Sequence, residues 1–321
     1  MEATTLTQEI KHQLRQQGFD LVGISKADFL EKEARDLEQW LKEGRHGTMR
    51  WMEDNFDKRV DPRLLVEGAR SVISVLLNYF PAPENRQPAD APKISTYAWG
   101  EDYHKVIKRK LYRVLEWMQE SIGEVNARVF TDSAPVMDKA WAMRGGLGWI
   151  GKNTNLIHPK MGSWYFIGEI ILDLELDYDG PMKDYCGTCT KCIDACPTGA
   201  LAPYRIDSRQ CISYLTIELR ENMPPELRTH TEGWAYGCDI CQQVCPWNSF
   251  ATPECGNFQP LAHLLDYGLE QWSSLTEPTF KKLTRHSAMS RIRWSKMRDN
   301  IEHASGQPSG MSSEARSIPE E

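Results

Sequence analysis

The run Cys186-Gly-Thr-Cys189-Thr-Lys-Cys192-Ile-Asp-Ala-Cys196-Pro197 is answered about fifty residues later by Cys238-Asp-Ile-Cys241-Gln-Gln-Val-Cys245-Pro246. The first run has the C-x2-C-x2-C-x3-C-P spacing that holds a 4Fe-4S cube in two-cluster ferredoxins, with the fourth cysteine serving the other cube. Cysteines at this spacing in a tight loop turn three sulfurs toward one cube, while the fourth sits a turn onward and points away. The proline that follows has no amide hydrogen and a fixed φ, so it helps turn the chain away from the cluster. The spacing therefore predicts crossed ligation. Cys186, Cys189, Cys192 and Cys245 fall to one cube and Cys196, Cys238 and Cys241 to the other, which is left one ligand short.

In a symmetric pair of runs the missing cysteine would stand at position 235, where this chain has Ala235. Cys211, alone between the runs, is the natural substitute, and Cys255, the ninth cysteine, is a second candidate for the same place. Disulfides and zinc are the competing uses of so many cysteines. Disulfides suit small secreted chains, and four-cysteine zinc sites normally pair two separated C-x2-C units. Neither accounts for three cysteines at x2 spacing followed by x3 and proline.

The 321 residues are enough for one large or two modest domains that fold without disulfide help. A hydrophobic fraction of 40% and a charged fraction of 26% are those of an ordinary soluble protein. No apolar run is long enough to span a bilayer, and the first residues lack a secretory signal, so a cytoplasmic protein with no membrane partner is expected. The net charge of −7 argues mildly against a non-specific nucleic-acid coat. Two local runs are basic, however: Lys105 to Arg113, and Lys281 to Arg298 with Trp294 inside it. Each is either a solvated helix face or a docking face for phosphates.

Periodicity places helices over 6–17, 29–43 and 102–121, with Val106, Ile107, Leu111, Val114, Leu115 and Met118 as the apolar side of the last. Ser71 to Phe80 reads as a central strand buried on both faces, with further strands at 19–24, 127–131 and 164–174. A short helix over 135–144 is expected, with Ser133 as a possible cap. The glycines of Gly145-Gly146-Leu147-Gly148-Trp149-Ile150-Gly151 suggest a backbone that something large approaches. The expected architecture is α+β, or α/β-like, over 1–175. A ferredoxin-like two-cluster module follows over 176–255, then C-terminal helices over 256–304 and a disordered tail over 305–321.

Paired cubes relay single electrons, so the first domain should hold the chemistry that uses them. Tyr97-Ala98-Trp99-Gly100-Glu101-Asp102-Tyr103-His104-Lys105, Thr131-Asp132-Ser133-Ala134-Pro135-Val136-Met137-Asp138-Lys139 and Arg144-Gly145-Gly146-Leu147-Gly148-Trp149-Ile150-Gly151-Lys152-Asn153-Thr154-Asn155 resemble the epoxyqueuosine reductases, as does the asymmetric cysteine set. The resemblance implies reductive removal of the epoxide oxygen from epoxyqueuosine at the wobble position of tRNA. It also implies base-off cobalamin in the first domain and two 4Fe-4S clusters, and a likeness to reductive dehalogenases. The partners expected are a tRNA anticodon arm and an external low-potential electron donor, and a monomer accommodates them all.

The same resemblance makes Asp132 the proton donor to the opening epoxide, an acid whose pKa burial would raise. The competing role for Asp132 is to cap the following helix. Tyr97, His104, Lys139, Arg144, Gly148, Lys152, Asn153 and His158 become candidates for the cobalamin and substrate pocket. Relatives often carry a longer C-terminal part, so contacts made by such an extension are not expected here. A cobalamin-dependent reductase of a small molecule and a non-catalytic electron carrier remain the alternatives.

Overall fold

A computed structural model describes residues 3–254, 256–261 and 263–305. Cys255 and the stretch from 306 onward, with the expectations that fell on them, lie outside the described residues.

The first half of the chain builds α1 (Ala3–Gln16), β1 (Leu21–Lys26), α2 (Glu31–Lys42), α3 (Phe56–Val60), β2 (Ser71–Asn78), β3 (Lys93–Ile94), α4 (Tyr103–Ile122), β4 (Ala127–Phe130), α5 (Asp138–Arg144), β5 (Trp149–Ile150), β6 (Leu156–Ile157) and β7 (Tyr165–Leu172). Four strands form one sheet in the order β1-β2-β7-β4, antiparallel throughout. The architecture is therefore α+β, with helices on both faces of an antiparallel sheet. All eight residues of β2 are buried. Alternation explains why: Ile73, Val75 and Leu77 face a core shared with α1 and α4, while Val72 and Leu76 face the α2–α5 side. The six apolar positions of α4 named above are all buried in the first of these cores. Trp141 of α5 is buried in the second, against Val72, Phe130 and Ile171.

Two expectations move. The helix after β4 begins at Asp138 rather than Pro135, and no side chain caps it. Ser133 instead donates its hydroxyl to the Thr131 carbonyl. The glycine-rich stretch is approached by the protein's own backbone: a Cβ on Gly145 would lie 3.0 Å from the carbonyl carbon of Gly23, and one on Gly148 2.4 Å from the Ile157 carbonyl oxygen.

The second half is loops and short helices, including Lys191–Asp194, Ile240–Gln243 and a π-helical turn at Tyr214–Glu218. Strand Trp234–Tyr236 pairs in parallel with β3. Helices Leu269–Ser273, Glu277–Thr284 and Trp294–Ala304 close the described chain. Their buried Trp272, Phe280 and Ile301, with Met289 from the turn Ala288–Arg291 between the last two, share one core with Ile94, Ala98, Ala235 and Tyr236, so this core draws on three separated parts of the sequence. Among the described residues no helix is long and apolar enough to cross a membrane.

Candidate active site

The cysteines fall into two adjoining groups. Cys245 and Cys186 are electrostatic neighbours of Cys192, and Cys186 and Cys189 are neighbours of Cys245. In the second group Cys196 neighbours Cys211, and Cys211 and Cys241 neighbour Cys238. Cys241 also lies within reach of Cys192, which brings the groups side by side. Burial pushes the Cys241 thiol up to about 12 and raises Cys211 and Cys238 as well. These sulfurs become good ligands only when an incoming metal displaces their protons. Among the described residues no three His, Cys, Asp or Glu side chains converge closely enough for a single ion; a cube accepts sulfurs set farther apart. The first loop is held from outside. Lys152 donates to the carbonyls of Gly187 at 2.7 Å and Cys189 at 3.0 Å, and the Trp149 indole N–H lies 3.5 Å from Cys186 Sγ.

A cavity of about 250 Å³ opens beside the second group, lined by Cys196, Cys211, Cys238 and Cys241 together with Tyr97, Lys139 and Asn153. A smaller one of about 80 Å³ adjoins it, sharing Lys139, Asn155 and Gln242. Asn153 is nearly sealed and donates to the Cys241 carbonyl at 3.2 Å. Lys139 donates to the Thr154 carbonyl at 3.0 Å. Its amine lies within electrostatic reach of Cys241, Asp132, Asp138 and Cys211, and desolvation by the surrounding protein lowers its pKa although the residue keeps an exposed surface. Buried Asp239 accepts from the Ser95 hydroxyl and, at 2.8 Å, from the Thr96 amide, which fixes the turn that carries Tyr97.

Asp132 follows β4 in a left-handed conformation, φ 51°, uncommon for a residue with a side chain. The Tyr103 hydroxyl donates to its Oδ2, and His104 Nε2 stands 3.4 Å from the same oxygen. His104 Nδ1 is 2.7 Å from Asp102 Oδ1. Asp132 is recessed among protein atoms, yet its side chain is 54% exposed, as expected of a group facing an open cleft. Desolvation works to raise its pKa, but hydrogen bonds from His104 and Tyr103 and the charges of His104 and Arg291 outweigh it, and the carboxyl is held below its usual range. Burial opposes charge on His104 too. Its bonds to Asp102 and Asp132 prevail and lift it to about 9. The expected upward shift at Asp132 is thus reversed: at neutral pH the carboxylate faces an imidazolium.

Other candidates lie elsewhere. Arg144 pairs with Glu33 at 3.1 Å. Gly148 packs against the Ile157 carbonyl, and His158 bridges back to Gly162 while its Nδ1 accepts from the Lys160 amide. Lys152 braces the first cysteine loop and does not line the cavity. Within the C-terminal basic run, Lys281, Arg291 and Arg298 are engaged with Glu277, Glu218 and Glu302. Tyr103, Asn155, Asp239 and Arg291 join the site without having been singled out. Tyr103 sits next to His104 within a quoted motif and Asp239 sits between two ligand cysteines, so adjacency was their available signal.

Comparison with known proteins is in accord with this geometry. Residues 59–133 match the family model described as "Epoxyqueuosine reductase QueG, DUF1730", and residues 185–248 match a 4Fe-4S double cluster binding domain. An epoxyqueuosine reductase of Leadbetterella byssophila is 54% identical over 298 residues, covering 92% of this chain and 97% of the relative. A crystal structure of an epoxyqueuosine reductase with an epoxyqueuosine-modified tRNA-Tyr stem loop superposes with a TM-score of 0.82 at 29% identity, over 94% of this chain and 80% of that one. A Bacillus subtilis epoxyqueuosine reductase, captured with an aspartate-bearing catalytic loop swung out of its active site, gives 0.79 at 28% identity over the same shares. With a two-cluster 4Fe-4S module beside an antiparallel sheet and a relative of this identity along nearly its whole length, the chain belongs to the epoxyqueuosine reductase family.

Proposed function

We propose that this protein reduces epoxyqueuosine to queuosine at the wobble position of tRNA, with the catalytic domain over 1–175 fed by the cluster module over 176–255. One observation carries the reading: Lys139 lines the cavity bounded by Cys196, Cys211, Cys238 and Cys241 and is within electrostatic reach of Asp132, which links the cysteine sulfurs to the acid. Cys186, Cys189, Cys192 and Cys245 hold the first cube in this reading, and Cys196, Cys211, Cys238 and Cys241 the second. The solved relative with a modified stem loop supports tRNA as substrate.

The cavity is bounded by the four cysteines assigned to the second cube and is that cube's own space, so a corrin would lie against its rim and not within it. Hydroxyl and amide side chains of Ser95, Tyr97, Asn153, Thr154 and Asn155 stand at that rim, matching a ring fringed by amides, and Lys139 and Asp132 are exposed to solvent. Cobalamin bound there would supply a strongly reducing centre that opens the epoxide, chemistry that belongs to the cofactor. The protein's part is orientation and protons. Opening the ring develops negative charge on oxygen, and a placed proton donor is worth roughly 10²–10⁴-fold. His104 stores that proton at neutral pH and Asp132 accepts and delivers it, with the Tyr103 hydroxyl fixing the carboxylate's Oδ2. The aspartate loop of the Bacillus relative supports this role for Asp132.

The test is incubation of anaerobically reconstituted protein with epoxyqueuosine-containing tRNA, cobalamin and a low-potential reductant. Mass spectrometry of the digested nucleosides should show loss of one oxygen. Unchanged tRNA with both clusters and cobalamin bound would refute the proposal.

A further inference from the structure

A short hairpin of the first domain reaches both cysteine groups. In it β5 pairs with β6, Trp149 opposite Ile157 and Ile150 opposite Leu156. The Gly151 amide closes the turn on the Asn155 carbonyl at 2.8 Å, and Asn153 Oδ1 accepts the Asn155 amide at 3.2 Å. From this frame Trp149 and Lys152 reach the first group. The Trp149 indole N–H donates to Cys186 Sγ at 3.5 Å, and the Lys152 ammonium donates to the Gly187 and Cys189 carbonyls at 2.7 and 3.0 Å. Asn153 and Asn155 reach the second group, through the Cys241 carbonyl at 3.2 Å and, more distantly, Cys241 Sγ at 3.9 Å.

Trp149 is wedged as well as bonded. It is only 2% exposed, and stands edge-on to Tyr185 at 5.1 Å and to Trp247 at 5.2 Å. Tyr185 immediately precedes Cys186 and Trp247 follows Cys245-Pro246, so the rings that grip the indole flank two of the sulfurs assigned to the first cube. The N–H is thereby held in one direction. Reduction adds a negative charge that a cube shares with its sulfurs, and a fixed N–H or a cation beside them favours the reduced form; hydrogen bonds to sulfur are among the factors that set cluster potentials. The carboxylates nearest in sequence, Asp184 and Asp194, are exposed, so water and salt screen their opposing charge.

We propose that the β5–β6 hairpin tunes the two cubes unequally: Trp149 and Lys152 raise the reduction potential of the cube held by Cys186, and the hairpin does little for the one held by Cys241. The inference rests on the two-cluster reading above. Each cube takes one electron from an external low-potential donor and gives it up again, with no bond made or broken. Both tuning contacts come from the domain that carries Asp132, so that domain fixes how readily electrons enter the cysteine module. Trp149 acts through Cys186 and Lys152 through the loop carbonyls; neither touches substrate, and both are positioning residues.

The experiment is a redox titration, followed by electron paramagnetic resonance, of anaerobically reconstituted protein without cobalamin. Wild type should show two one-electron steps. Trp149→Phe keeps a ring between Tyr185 and Trp247 but has no N–H. At the wild-type midpoint of one step its ratio of reduced to oxidised cube should fall about tenfold, or about 59 mV for one electron, with iron content unchanged. Lys152→Met should move the same step the same way by a smaller factor, and Lys152→Arg should restore it; Asn155→Ala should leave that step unmoved. A single step in wild type, or Trp149→Phe with full iron and both midpoints unaltered, would overturn the proposal. Should Trp149→Phe lose iron, the lysine variants decide: equal midpoints in Lys152→Met and wild type overturn it. The expected shifts in protein whose wild type leaves epoxyqueuosine intact would uphold the tuning and fault the functional reading instead.

Discussion

The sheet and the cysteine loops are held together by different physics. Every residue of β2 is buried, whereas from 181 through 199 not one residue is. The sheet is stabilised by apolar surface withdrawn from water, at about 25 cal/mol per Å². The first cysteine loop buries no residue and depends on metal–thiolate bonds for its shape. Asp132 is thus mounted on a frame held by its own core, and the cysteines on one that assembles with metal. Loss of iron and loss of core should therefore be separable injuries.

Stripping iron should have the largest effect. Turnover should vanish, and amides of 186–196 and 238–245 should lose protection from hydrogen exchange while β2 and β7 keep theirs; protected loops in iron-free protein would erase the contrast. Cys211→Ser should reduce iron from about eight atoms per chain to about four, and full iron content would return Cys255 to consideration. Asp132→Ala should cost roughly 10²–10⁴-fold in rate with both clusters and bound cobalamin retained, placing chemistry on the sheet side alone. Trp141→Ala should destabilise the sheet region by about 3–5 kcal/mol without changing iron content in the folded fraction.

A subtler comparison uses His104. Its folded pKa of about 9 lies above the ordinary value near 6.5, so its pairing with Asp102 and Asp132 stabilises fully below about 6.5 and is lost as pH rises through about 9. Activity should fall over the same window. The titration, followed by NMR, should be unaltered in iron-free protein, since its partners belong to the sheet region. Smallest of all, Lys281→Ala should shift stability by no more than about 0.5 kcal/mol, because its bond to Glu277 is exposed.

Local order explains what could be read from the chain and what could not. The apolar positions of α4 repeat at helical spacing, and each cysteine run carries the short spacing from which crossed ligation is read, so both were legible. Tyr103 packs flat on Phe166 while bonding Asp132, and the Trp149 indole meets Cys186 only because the β5–β6 hairpin lies against the cysteine loop. Such meetings are set by tertiary register and leave no local mark. The glycines misled for the same reason: the object approaching Gly145 is Gly23, more than a hundred residues earlier.

The parallel pairing of β3 with Trp234–Tyr236 has a bearing on synthesis. Lys93 donates to the Glu232 carbonyl across 139 residues of chain, so the wall carrying Tyr97 cannot set until translation has reached the strand Trp234–Tyr236, just ahead of the second cysteine run. Long-separated contacts of this kind close late. A ribosome-bound half-length chain would fold its sheet yet leave the wall beside Tyr97 unformed, and completion of that wall becomes an event of the finished polypeptide.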